Sequence, residues 1–252
     1  VVFDTAFHQT MPPKAYMYAY PYEDYTDLKV RKYGFHGTSH RYVSEVAREM
    51  LGKEDSKIIV CHLGNGASIS AVQNGKVVDT SMGMTPLAGI MMGTRTGDAD
   101  PASVIYIMRK RGLSLDEMNT RMNKQSGILG IFGESSDFRD LDTARREGNE
   151  RAVLAYEMFC YRIQLYIGAY VAAMNGVDAI AFTGGIGENS VGVKKHICES
   201  LSYFGIELDE EKNAQRLPGN VELSTKDSKV KIYKIETAEE LVIARDTYRL
   251  TK

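Results

Sequence analysis

Two bends in the chain have the composition to hold an anion. Residues 61–83 read CHLGNGASISAVQNGKVVDTSMG, and Gly64-Asn65-Gly66 places two glycines in one tight bend between apolar runs. Glycine lets backbone N–H groups approach a ligand closely and adopt positive φ. Successive free N–H groups form an anion-binding nest. The second bend is FTGGIGENS, which covers Gly185, Ile186, Gly187, Glu188 and Asn189. It lies between a predicted strand and a predicted helix, whose N-terminus adds partial positive charge. Two such bends at strand ends could cradle a polyphosphate from two sides. Tight turns also favour glycine for its own sake, and GGIGEN lacks both the Walker Lys-Ser/Thr and the GxGxxG spacing.

Other residues offer chemistry beside a competing structural role. Asp4 closes VFD, where a carboxylate at a strand end can hold Mg²⁺ or orient an attacking oxygen; a turn cap explains it equally. His36 and His40 stand four apart, a zinc spacing, but Gly37 occupies the position of the HExxH glutamate and no third ligand follows. His40 is read as structural. Arg95 in MGTRTGDADP is flanked by threonines and glycines, so its guanidinium is expected to reach a cleft. A planar five-donor cation suits the spread charge of a phosphoryl transition state. The alternative is a surface arginine paired to Asp98 or Asp100. Asp137 in SSDFRDLD reads as a helix N-cap. In TAEEL, Thr237 and Glu240 form a capping box, which leaves Glu239 free.

These residues need elements to position them. Val43, Val46, Ala47 and Met50 follow helix spacing, with Gly52 as the C′ residue. SKIIVCHL, ASISAVQ and KVVDTSM read as three strands, the last two joined by an Asn74-Gly75 hairpin turn. GDADPASVIYIMRKRG is a punctuated helix, with Asp100 as N-cap, Pro101 at N1 and Gly112 at C′. LSLDEMNTRMNKQSG is another helix. EGNERAVLAYEMFCYRIQLYIGAYVAAMNG reads as one long helix, apolar on nearly all faces and so expected to be central or at a subunit contact. DAIAFTGG is a buried strand, IGENSVGVKKHICESLSYFG a helix, KVKIYKIE a late strand and TAEELVIARDTYRL the final helix. TAFHQTMPPKAYMYAYPYEDY shows no period and reads as an ordered loop. Hairpin strands followed by strand–helix alternation predict an α/β mixed sheet with helices on both faces.

The bulk numbers exclude several classes. The 252 residues are 43% hydrophobic and 25% charged with a net charge of −2, which fits a globular protein with a real core. There is no basic surplus for nucleic acid or an anionic membrane, no transmembrane stretch and no signal-peptide pattern at the start. Three widely spaced cysteines, Cys61, Cys160 and Cys198, support neither disulfides nor a zinc knuckle and point to the cytoplasm. VVFD reads as the end of a buried strand whose partners lie upstream, so a fragment is expected.

FDTAFHQTMP, YGFHGTSH, the run from His62 to Pro101, FRDLD and FTGGIGENS together resemble the acetate kinase family, of the acetate and sugar kinase/Hsp70/actin superfamily. The likeness extends from the first residues to the last helix; propionate and butyrate kinases are close relatives. It implies a ribonuclease H-like (actin-like ATPase) domain over residues 5–236. Residues 1–4 would be a strand end of a preceding domain absent here, and the helix of 237–252 would return to that domain. It implies ATP/ADP and Mg²⁺, acetate or acetyl phosphate as substrate, and a homodimer. By resemblance Asp4 is catalytic, His36 contacts the phosphoryl group in flight and Arg95 clamps the transition state. His62, Leu63, Gly64, Asn65 and Gly66, with Gly185 to Asn189, map onto phosphate contacts. Asp137, Phe138 and Arg139 map onto the adenosine pocket and Glu239 onto a Mg²⁺ ligand, with Ala238 standing where the family has a polar residue. Two other functions compete: a nucleotide-binding, dimerising module without turnover, and an Hsp70- or actin-like ATPase scaffold, against which HLGNG and YGFHGTSH argue together.

Overall fold

In Lys57–Leu63 apolar residues run unbroken from Ile58 to Cys61 and resume at Leu63, and alternation divides them between two cores. Ile58 and Val60 join one cluster with Val43, Ala47, Ala179 and Tyr233. Ile59, Cys61 and Leu63 join a larger one with Phe159, Ile163 and Ile167. Successive strand side chains point to opposite faces, so a strand buried on both is central, with helices on either side. The computed structural model describes residues 1–252 and bears this out.

The chain opens with a 3₁₀ turn (Ala6–Thr10), α1 (Pro13–Tyr16) and α2 (Tyr22–Thr26), then α3 (Gly37–Leu51). Next come β1 (Lys57–Leu63), β2 (Ala67–Gln73) and β3 (Lys76–Thr80). Four helices follow: α4 (Pro101–Arg111), α5 (Leu115–Lys124), α6 (Gly127–Phe132) and α7 (Phe138–Arg146). The long α8 (Glu150–Met174) leads to β4 (Ala179–Thr183), α9 (Gly184–Asn189) and α10 (Val191–Glu199). The chain ends with α11 (Glu210–Ala214), β5 (Val221–Glu222), β6 (Lys231–Lys234) and α12 (Glu239–Thr251). The six-stranded sheet has the order β3-β2-β1-β4-β6-β5. β1, β2 and β3 pair antiparallel; β4 lies parallel to both β1 and β6. This is the mixed sheet expected, with α3 against one face and α8 against the other.

Several expectations need correction. Within this chain residues 1–3 of VVFD join no strand ladder, and Val1, Val2 and Phe3 are exposed rather than buried. The Pro- and Tyr-rich segment is ordered but carries a 3₁₀ turn and two one-turn helices, the helices because Pro12-Pro13 and Pro21 each start a turn instead of ending one. The helix expected from IGENS to SYFG breaks at Ser190, which caps α10 by accepting from the Val193 N–H. The third strand stops at Thr80. The capping box at Thr237 does not form: the Thr237 hydroxyl bonds Ser39 Oγ at 2.9 Å, and α12 starts after Ala238 with no side-chain cap. α8 is not buried all round. Ala152, Tyr156, Phe159, Ile163, Ile167 and Tyr170 face the core, while Leu154, Met158, Tyr161 and Leu165 are exposed.

Candidate functional site

The two glycine bends meet because of strand pairing. β1 and β4 are parallel neighbours with His62 opposite Thr183, so the bends that follow them emerge side by side at one sheet edge. In open α/β sheets ligands bind beyond the carboxyl ends of the strands. A cavity of about 680 Å³ lies there, lined by Gly64 and Asn65 from the first bend and Gly185, Ile186 and Asn189 from the second. Asp137, Phe138 and Arg139 form its far wall. Neither Gly64 nor Gly66 uses positive φ, contrary to one reason for placing glycine there. Their absent side chains matter instead: a Cβ on Gly66 would lie 3.4 Å from His36 Nε2 and 3.6 Å from Arg95 Nη1. The Gly93 N–H donates to the Asn65 carbonyl at 3.1 Å and pins the bend. In the second bend Gly184, at φ 76°, makes the turn; a Cβ there would meet the Leu63 carbonyl at 2.8 Å.

Not every expected residue faces the cavity. Leu63 is a fully buried core residue, and Gly187 packs against Phe182 and the Cys61 carbonyl. The Glu188 carboxylate accepts from the Gly184 N–H at 3.0 Å and the Thr237 N–H at 3.3 Å, tying α9 to the approach of α12. Phe138 serves cavity and core, with its ring 5.3 Å from Phe159. Asp137 caps α7 as expected, and three hydrogen bonds from the Arg139 guanidinium help hold its carboxyl down at about 2.

At the other end of the Gly64–Gly66 bend four of the five histidines gather. His36 stacks on His62 with ring centroids 4.3 Å apart. His36 Nδ1 bonds Ser68 Oγ at 2.8 Å, and His62 Nδ1 bonds Ser39 Oγ at 2.8 Å. Burial pulls the His36 pKa down, Asp4 opposes this and Arg95 adds to it. Burial takes His62 down to about 3 and His8 to about 4. His40 is fully buried, in keeping with its structural reading. Arg95 has no carboxylate partner: Nη1 donates to the Pro86 carbonyl at 3.2 Å. Asp98 is engaged by Arg162 and Tyr166, and Asp100 caps α4, so the surface ion pair expected as an alternative is absent.

Asp4 lies in a turn, where its carboxylate accepts from the His36 N–H at 2.8 Å and its carbonyl from the Gly37 N–H at 2.9 Å. A Cβ on Gly37 would sit 2.3 Å from that carbonyl, which is why glycine follows His36. Burial, then the nearby Asp4 charge, push Glu239 above the usual carboxylate range, with no cation offsetting them. No group of three or more His, Cys, Asp or Glu side chains is arranged to hold a metal. Sequence reasoning missed Arg216, which lines the cavity at φ 51° without a carboxylate partner. It also missed Ser39 and Ser68, which no motif reading separates from ordinary strand and helix serines.

A ribonuclease H-like mixed sheet whose parallel strands end on a glycine-lined cavity defines the actin-like ATPase class, as the resemblance implied. The model of the Acetokinase family matches residues 1–245, and the chain belongs to that family. It is 65% identical over 252 residues to an acetate kinase of Fusobacterium nucleatum, covering 100% of this chain and 63% of that protein. The crystal structure of Porphyromonas gingivalis acetate kinase superposes with a TM-score of 0.97 at 48% identity, over 100% of this chain and 63% of that one. A propionate kinase from Francisella tularensis gives 0.92 at 46% identity, over 97% and 62%. The chain thus spans somewhat under two thirds of each relative.

Proposed function

We propose that this chain is the nucleotide-binding part of an acetate kinase, which transfers phosphate reversibly between ATP and acetate. The observation that carries the reading is the bend at Gly64–Gly66, with the cavity at one end and His36 and Arg95 at the other. An adenosine would lie against Asp137, Phe138 and Arg139, and its phosphates would cross the free amides of Asn65 and Gly66. A carboxylate oxygen of acetate attacks the γ-phosphorus in line, the bond to the β-phosphate oxygen breaks, and ADP leaves. Acetate is already an anion at neutral pH, so no strong general base is needed. Catalysis rests on positioning and charge neutralisation. The Arg95 fork and His36 would hold the equatorial oxygens.

Asp4 and Glu239 fit Mg²⁺: they are hard oxygen donors close enough to repel each other, and Mg²⁺ commonly binds through one or two carboxylates plus substrate phosphates. Bound there through water, it would neutralise charge on the β- and γ-phosphates. The three free cysteines are buried, with Cys160 and Cys198 pushed up to about 12, which suits the reducing cytoplasm. No helix is long and apolar enough to cross a membrane.

The chain's partial coverage of its relatives favours a second reading, a module that binds ADP without turnover by itself. Domain limits follow the same logic: residues 5–236 form the nucleotide-binding domain, while 1–4 and 237–252 face a further domain. Exposed Phe3, Leu241 and Ile243 are consistent with that arrangement. Calorimetry with ADP, beside hydroxamate detection of acetyl phosphate, tests both readings. ADP binding with acetyl phosphate formed supports the first, and ADP binding alone the second. No ADP binding defeats both. Propionate as the better acceptor would move the assignment to propionate kinase.

A further inference from the structure

Behind the cleft two histidines share one hydroxyl, and their protons can be counted. Ser68 Oγ lies 2.8 Å from His36 Nδ1 and 2.7 Å from His40 Nε2. A serine hydroxyl has one proton and two acceptor lone pairs, and the buried Ser68 Oγ has no side-chain or backbone partner except these two rings, so its proton goes to one ring and it accepts from the other. His40 decides which. Its ring is fully buried and its Nδ1 has no hydrogen-bond partner. A proton on Nδ1 would be a buried N–H without an acceptor, and an imidazolium would add an uncompensated charge. Burial accordingly keeps His40 well below its ordinary pKa. The His40 proton therefore sits on Nε2 and is donated to Ser68 Oγ. Ser68 then donates to His36 Nδ1, and His36 must carry its own proton on Nε2.

His8, beside this pair, follows the same rule independently. Its Nδ1 is also buried without a partner, and its Nε2 lies 3.1 Å from Ser70 Oγ. Ser70 Oγ is 2.8 Å from Thr80 Oγ1, which donates to the Ile69 carbonyl at 3.2 Å. That chain runs in one direction, from His8 Nε2–H through Ser70 and Thr80 to the carbonyl.

We infer that His40 is a positioning residue: through Ser68 it fixes His36 as a neutral ring whose Nε2–H is presented beside Gly66 and Arg95. The relay itself is read from hydrogen-bond geometry; its purpose rests on the kinase reading, in which His36 meets the phosphoryl oxygens. There His36 acts as a neutral hydrogen-bond donor and not as a base, because its one free nitrogen already carries the proton. Donation from Ser68 also holds the ring plane that stacks on His62.

Long-range ¹H–¹⁵N correlation spectra of the ¹⁵N-histidine-labelled chain at neutral pH read each tautomer directly, with His36→Gln used for assignment. The expected spectrum shows His36 and His40 protonated on Nε2 alone. A proton on Nδ1 of either ring overturns the inference, and this measurement needs no perturbing variant. His40→Gln keeps a side-chain N–H for Ser68 and should leave His36 as the Nε2–H form. Ser68→Ala removes the hydroxyl and should give His36 a mixture of tautomers; an unchanged single form would show that Ser68 does not set it. ADP calorimetry on the same samples bears on the kinase reading alone, so failure of that reading and failure of the relay are distinguishable.

Discussion

His36 holds a backbone conformation rare outside glycine, with φ 58° and ψ 29°, just before α3. A non-glycine residue in this region carries roughly 1–2 kcal/mol of strain, and strain of this kind clusters at functional sites. Asp4 over-determines it by accepting from the His36 N–H. Asp4 therefore has two separable tasks. Asp4→Asn keeps an acceptor oxygen and should leave the urea midpoint almost unchanged while weakening Mg²⁺-dependent ADP binding in calorimetry. Asp4→Ala should in addition lose about 1 kcal/mol of stability. Equal effects of the two variants on both readouts would refute this division. Arg95 lies beside Gly66, close to His36, with no carboxylate partner. Replacing its fork by a point charge in Arg95→Lys should cost on the order of 10³-fold in the hydroxamate assay, with ADP affinity little altered.

At the scale of elements, the break between α9 and α10 shapes the cavity floor. Lys194 is buried and its ammonium donates to the carbonyls of Gly187, Glu188 and Ser190, each at 3.1 Å. It thereby closes the end of α9 whose start carries Gly185 and Ile186. Lys194→Met would leave three carbonyls without that donor, at a cost of about 2 kcal/mol. Hydrogen exchange should rise across residues 184–190, and ADP affinity should fall; protection equal to the parent chain would refute the role. The sequence does not disclose this lysine, since nothing local separates it from Lys195, which pairs at the surface with Glu210 at 2.6 Å. By contrast α4 was legible throughout, because Asp100, Pro101 and Gly112 act on their own neighbours. The α12 capping box was misread because Ser39, distant in sequence, claims the Thr237 hydroxyl.

For the whole molecule, two features predict behaviour. The exposed residues Leu154, Met158, Tyr161 and Leu165 run at i, i+4, i+7 and i+11 along α8, an apolar stripe suited to a second copy of the chain. The homodimer that the family resemblance implies would use it, so Tyr161→Glu should shift sedimentation from dimer to monomer; a dimer that persists would exclude this face. The buried histidines set the acid limit. His8 and His62 are depressed to about 4 and about 3, below the ordinary 6.5. Above pH 6.5 both states are neutral at these rings. As pH falls the unfolded chain takes up protons first, so stability is lost from about pH 6.5 down towards the folded values. At pH 5 each ring that stays neutral costs about 2 kcal/mol relative to pH 7.5. Urea midpoints at the two pH values should differ sharply, and equal midpoints would refute the linkage.

The sequence by itself determined the elements whose signals are local: capped helices, the Asn-Gly hairpin whose residues take φ 53° and 74°, and the unbroken apolar run that makes β1 central. Its long motifs also identified the family. Only the tertiary structure decided that the two glycine bends share one cavity, since that follows from β4 pairing parallel to β1 across 115 intervening residues of other structure. It alone decided that His36 and His40 come to share one hydroxyl. Backbone propensity acts over a few neighbours, whereas a shared hydroxyl such as that of Ser68 depends on where separate elements come to rest.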